Sequence, residues 1–155
     1  MSGKEATVRF TILVSADKGL FPKRRTIGSA GADVCSKEEI RLPSKEVVMV
    51  GTGVHFLVMP DEYYAELHIR SSLAVRGIML ANSVGIIDSD YRDEVKMLLV
   101  NMNRYDMTIM KGERIGQLII KEKARDCFFL SNDEEMDEQI GLPDRVGGFG
   151  STGKF

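Results

Sequence analysis

Cysteine is scarce in this sequence: Cys35 and Cys127 are the only two among 155 residues. They form no C-x-x-C pair, and no Cys/His cluster has the spacing of a zinc site. Two distant thiols fit a reducing compartment, so the expected location is the cytoplasm, or a host cell's cytoplasm if the source is viral. The sequence leaves open whether the two pair. An excess of one charge is also lacking. The chain carries 21 basic and 23 acidic side chains, a formal net charge of −2. Duplex-binding domains show a strong basic excess, so no nucleic-acid partner is expected. A small anion held by a few arginines remains compatible with that balance. Long apolar runs are missing as well. No stretch approaches the roughly 18 residues of a membrane span, so no membrane partner is expected. Lys4, Glu5 and Arg9 break up the opening segment, where a signal peptide needs an apolar run.

What is present describes a folded β protein. The apolar fraction, 43%, excludes global disorder, and 155 residues make one domain at roughly 150 residues per domain. Val, Ile, Thr, Tyr and Phe are common, and 15 glycines supply turns. Thr7 to Val14 alternates at strand period, with Val8, Phe10, Ile12 and Val14 on one face. Residues 15–37 read as loop with short extended pieces. Glu46 to Val58 is strongly β-forming, interrupted by Gly51 and Gly53, and Tyr63 to Arg70 alternates again. Ser71 to Arg76 predicts one or two helical turns, capped by Ser71 or Ser72 and ended by Gly77. Glu94 to Asn103 carries apolar residues on both faces, the pattern of a strand buried on both sides. Ile115 to Lys123 is a further strand. The expectation is an all-β sandwich or barrel over residues 1–140, followed by a flexible Gly-rich arm over 141–155. The acidic run 132–138 reads as a solvated loop.

Several short strings carry chemistry. Gly148 to Lys154 fits the letters of G-x-G-x-x-G and most of a Walker A loop. Both motifs need a strand before and a helix after, and Walker A needs Ser or Thr where Phe155 stands, so both are rejected. The tail still offers exposed backbone N–H groups, two hydroxyls and one aromatic ring, suited to a phosphate chain and a base. Ile87-Asp88-Ser89-Asp90-Tyr91 places two carboxylates among apolar neighbours, for metal ligation or for a general base that deprotonates water. Arg70-Ser71-Ser72 joins a guanidinium and hydroxyls at a strand-to-helix junction, a candidate phosphate site. Ala30-Gly31-Ala32-Asp33 and the turn at Gly112 are plainer, and Glu113 and Arg114 read as exposed.

In order and spacing, these strings resemble the five motifs of the trimeric dUTPase family. They are Ala30 to Ser36, Arg70 to Ala74, Asn82 to Arg92, Gly112 to Leu118, and Gly147 to Gly153. The resemblance implies a distorted jelly-roll-like β fold with one short helix, assembled as a homotrimer whose active sites are shared between subunits. It implies Mg²⁺-assisted hydrolysis of dUTP to dUMP and pyrophosphate, which limits uracil in DNA and supplies dUMP for dTMP synthesis. Asp88 is the implied catalytic base, and Asp33 reaches the metal through water. Arg70, Ser71, Ser72 and Gln117 are implied to hold phosphates. Asn82, Gly85 and Ile87 belong to the hairpin that reads uracil, and Tyr91 floors the deoxyribose. Arg145, Phe149, Gly150, Ser151 and Thr152 close over the substrate from the arm.

Three positions and one spacing depart from the family pattern. Ser72 stands at a frequent Gly, Gly116 at a frequent Ala, and Asp93 at a frequent Gly beside the base-reading hairpin. The Arg145 to Phe149 stretch is one residue short. A dCTP deaminase shares the fold and the Arg-Ser-Ser string, but not the Asp-x-Asp-Tyr string or the Gly-Phe-Gly arm. A binding or regulatory protein on this fold is the other alternative, and residues 131–140 are a candidate partner surface.

Overall fold

The structure is a computed structural model and describes residues 11–124. The arm 141–155, the acidic run and Cys127 lie outside the described residues. Eleven strands and one short helix make up the described fold. In chain order they begin with β1 (Leu13–Ala16), β2 (Ala32–Cys35), β3 (Ile40–Leu42), β4 (Val47–Gly51), β5 (Val54–Val58) and β6 (Tyr63–Ile69). They continue with α1 (Ser71–Val75), β7 (Ile78–Leu80), β8 (Gly85–Ile87), β9 (Lys96–Asn101), β10 (Met107–Ile109) and β11 (Arg114–Glu122). No helix among the described residues is long and apolar enough to cross a membrane.

Two sheets carry most of the core. One has the order β2-β11-β6-β8 and the other β4-β9-β7, every pairing antiparallel. Each strand turns alternate side chains inward, as its period demands. Ala65 and Leu67 of β6 are buried, and so are Met97 and Leu99 of β9. The two sheets approach face to face: a Cβ added at Gly116 on β11 would lie 2.6 Å from the Met97 sulfur on β9 and 2.8 Å from the His68 carbonyl oxygen. Glycine at 116 leaves the space that Met97 fills. Two smaller ribbons, β1-β5 and β10-β3, complete the layers, and Phe56 of β5 and Leu42 of β3 join the same core.

The outer face of β9 corrects the two-sided reading of Glu94 to Asn103. Met97, Leu99 and Asn101 are fully buried, while Lys96, Leu98 and Val100 on the other face are only half-buried. Their cross-strand neighbours Val47, Met49 and Met79 are exposed. The described residues therefore leave this second apolar face uncovered.

The helix also starts differently from the expectation. Arg70, not a serine, is its N-cap, in extended conformation, and no side chain caps it. The extended backbone of β6 runs through Arg70, whose carbonyl accepts the Leu73 and Ala74 amides. Gly77 ends the helix as expected. Its φ is +76° and its amide donates to Ala74, a left-handed turn that favours glycine. Asp93 takes no such conformation, so the glycine that the family resemblance leads one to expect there is not required by this backbone.

Candidate functional site

Two hollows collect the residues singled out in the sequence. The first, about 280 Å³, lies between β6, β8 and β9. Its lining includes Asn82, Gly85, Ile87, Asp88 and Tyr91 together with Leu67 and Leu98. The apolar strand ends make its walls, and polar groups sit at the loops, the usual make-up of a small-molecule site. The hairpin from β7 to β8 forms one side. Its backbone passes close to β6, because a Cβ at Gly85 would lie 3.1 Å from that of Leu67. Ser83 at the hairpin tip has φ +63°, a conformation uncommon outside glycine. Lys96 also lines this hollow. Its place on a strand gave the sequence no signal that it belongs to a site.

The acidic loop after β8 is firmly tied down. The Tyr91 amide donates to the Asp88 carbonyl at 3.1 Å, and the Tyr91 hydroxyl donates to the Glu94 carbonyl at 3.0 Å, which fixes the ring. Arg92 donates to the Ser89 carbonyl at 2.8 Å, and Lys123 reaches the Ser89 hydroxyl at 3.3 Å. Glu94 anchors the loop from behind. It accepts the Gly53 amide at 2.8 Å and pairs with Lys37, also at 2.8 Å. Burial works against its ionisation, but the hydrogen bonds from Lys37 and Gly53 outweigh it and hold the carboxyl below its ordinary range. The hydrogen bond to Glu94 in turn raises Lys37.

The sign of each shift sets a pH window. A lowered carboxyl contributes stability above its unfolded value and loses it as pH falls through the folded one; a raised amine contributes below its unfolded value and loses it as pH rises. Glu94→Gln should therefore lower the thermal midpoint at neutral pH by the equivalent of about 1 kcal/mol, a modest figure because Lys37 is 35% exposed and screened by water. Thermal melts from pH 7 downward should show wild type and variant converging below about pH 4. A gap that persists at pH 3 would contradict this account.

The second hollow is polar. Asp33, Arg70, Ser71, Ser72 and Gln117 line it, and it shares none of these with the first. Strands β2, β11 and β6 bring them side by side, since Gln117 pairs with both Asp33 and His68. Gly31 is required by closeness: a Cβ there would lie 2.9 Å from the Gln117 side-chain oxygen and from the Leu118 carbonyl. Asp33 is the hub. Its carboxylate faces Arg70 Nε at 3.5 Å, Arg114 Nη1 at 3.1 Å and Arg25 Nε at 3.3 Å. Arg114 and Glu113 are thus not the exposed pair read from the sequence, because Glu113 also pairs with Arg76. Cys35, beside this cluster, is a free thiol pushed up by burial and by Asp33.

So arranged, the polar hollow offers guanidinium, hydroxyl and amide donors to an anion, while the apolar hollow offers a hydrophobic slot with a carboxylate. Comparison with known proteins decides the family. The dUTPase family model matches residues 17–153. The chain belongs to the dUTPase family. The deoxyuridine 5'-triphosphate nucleotidohydrolase of Rickettsia canadensis is 41% identical over 138 residues, covering 87% of this chain and 89% of the relative. That of Fusobacterium nucleatum is 40% identical over 137 residues, covering 86% and 90%. Among solved structures, the dUTPase of Streptococcus mutans aligns with TM-score 0.67 at 28% identity, over 77% of this chain and 98% of that one. The dUTPase of phage phi11 of S. aureus, described with a structural Mg(II) ion, shares the fold with TM-score 0.70 at 19% identity, over 81% and 99%. The jelly-roll-like β architecture expected of a dUTPase is the architecture found. The expected arm residues Arg145, Phe149, Gly150, Ser151 and Thr152 lie outside the described residues.

Proposed function

We propose that this chain hydrolyses dUTP to dUMP and pyrophosphate, with Asp88 as the general base. The observation that carries the reading is the pair of hollows: an apolar slot edged by a carboxylate, which suits a nucleoside, and a polar one rich in donors, which suits a polyphosphate. Asp88 takes a proton from water as its oxygen attacks the α-phosphorus in line. The bond from the α-phosphorus to the α–β bridging oxygen breaks, and pyrophosphate leaves. Arg70, Ser71, Ser72 and Gln117 grip phosphate oxygens, where donors help most as charge develops. Asn82 and the backbone of residues 83–87 read the uracil edge. Cytosine presents a donor where uracil presents an acceptor, so the wrong base leaves buried groups unpaired. Tyr91 floors the deoxyribose and rejects a 2′-hydroxyl by contact. The arm residues Arg145, Phe149, Gly150, Ser151 and Thr152 close over base and phosphates. The product serves dTMP synthesis, and removal of dUTP limits uracil in DNA.

Mg²⁺ fits the residues present. Among the described residues no group of three His, Cys, Asp or Glu side chains makes a ready cage. The polar hollow holds one carboxylate, Asp33, and Mg²⁺ keeps several waters while taking its other oxygens from substrate phosphates. Asp33 would hold the ion through water, and the ion would neutralise charge on the triphosphate.

The active unit in this reading is a homotrimer. The two hollows have separate linings, and in the trimer a nucleotide would bridge hollows from different copies. The uncovered apolar face at Val47, Met49, Met79 and Leu98 is the kind of surface that association buries.

Pyrophosphate release across dUTP, dTTP, dCTP and UTP, with and without Mg²⁺, tests the function. dUTP should be preferred by roughly 10²-fold or more, and chelation should lower the rate. Comparable rates for UTP or dTTP would refute the reading, and ammonia release from dCTP would replace it with deamination.

A further inference from the structure

We propose that Arg25 is an additional polyphosphate-binding residue, held at the rim of the polar hollow by Asp33 until a triphosphate arrives. This rests on the nucleotide reading of the site and extends it to a residue outside the five motifs.

The loop that carries Arg25 is built to aim it. On one side, Lys23 and Asp33 exchange backbone hydrogen bonds, with the Asp33 amide donating at 2.9 Å and the Lys23 amide at 3.3 Å. On the other side, a turn closes as the Thr26 amide donates to the Ser29 hydroxyl at 3.0 Å. Arg24 folds back onto the carbonyls of Ser29 and Ala30 and is used up inside the loop. Arg25 points the other way and donates through Nε to Asp33 Oδ2 at 3.3 Å.

That oxygen is already claimed. Arg114 donates to the same Asp33 Oδ2 at the shorter distance of 3.1 Å, and Arg70 faces Oδ1. Three guanidinium groups against one carboxylate leave a clear positive excess beside the hollow. Arg25 is the most exposed of the three at 56%, against 40% for Arg114 and 27% for Arg70. Among the described residues its only hydrogen bond uses Nε, which leaves the terminal nitrogens available. An exposed single-bond pair contributes little to stability, whereas a guanidinium fork matches phosphate oxygens. Asp33 thus spaces the cations when the hollow is empty, and the most exposed of them turns to the β- and γ-phosphates when a triphosphate binds.

Isothermal titration of the full chain with the non-hydrolysable α,β-imido analogue of dUTP, and separately with dUMP, tests this in EDTA. Arg25→Gln should weaken the analogue by about tenfold, the worth of one charge-assisted hydrogen bond. It should leave dUMP binding and the thermal midpoint unchanged. Arg25→Lys should restore part of the loss by keeping the charge without the fork. Equal weakening of both ligands would make Arg25 structural and overturn the proposal, as would an analogue affinity equal to wild type. If the wild-type chain binds neither nucleotide, the nucleotide reading itself fails, a result distinct from either.

Discussion

Asp88→Asn is expected to cut turnover of dUTP by about 10²–10⁴, the usual worth of a general base, while nucleotide binding survives. Asp88 edges the apolar hollow, directly after the short strand β8, in a loop held by Tyr91, Arg92, Lys123 and Glu94. These ties run through the Ser89 and Glu94 groups and through the Asp88 carbonyl. An amide has nearly the same shape, so the loop should keep its form and lose only the ability to accept a proton. Steady-state pyrophosphate release, paired with titration of the imido analogue, separates the two. A variant that turns over at near wild-type rate would remove Asp88 from the chemistry. A variant that no longer binds would show that the carboxylate holds the site together.

Arg70→Gln should have the next largest effect, a fall in kcat/KM of roughly 10²–10³, as for loss of one donor to developing charge. Arg70 follows β6 and caps α1 with its backbone alone, so the helix start does not depend on its side chain. Asp33 would retain Arg25 and Arg114 as partners, which limits the cost of leaving a carboxylate half-buried. The thermal midpoint without ligand should therefore move by only a degree or two, about 0.5 kcal/mol. Activity and melting measured on the same preparation provide the check. A large stability loss would mean that the Arg70–Asp33 pair is a structural clamp rather than a phosphate grip.

Much of this site was legible because its elements obey simple periods. Tyr63 to Arg70 alternates cleanly and forms β6, and Gly77 ends the helix where a left-handed residue was expected. β3 and β10 escaped notice because three residues are too few to display an alternation. The serines were misread as caps because a sequence cannot reveal that β6 keeps its extended backbone through Arg70. β9 differs more instructively: apolar residues on both faces are real, but one face has no cover among the described residues. Asp33 and Arg70 stand out in the sequence, yet Arg25 and Arg114 beside them do not, since Arg114 is 81 residues away from Asp33 along the chain. Local pattern reports which face a residue takes, and only tertiary structure reports what it meets there.

The contact of Gly116 with Met97 carries a consequence for how this chain can change. The volume that a methyl at 116 would fill is supplied here from the opposite sheet by a long, pliable thioether side chain. The two positions therefore share one parcel of space, and neither can be varied independently of the other. A methyl restored at 116 calls for a shorter residue at 97, and a shorter residue at 97 alone opens a void behind the strand that presents Gln117. Any route from glycine to alanine at 116 is thus a pair of linked steps with an unfavourable intermediate between them.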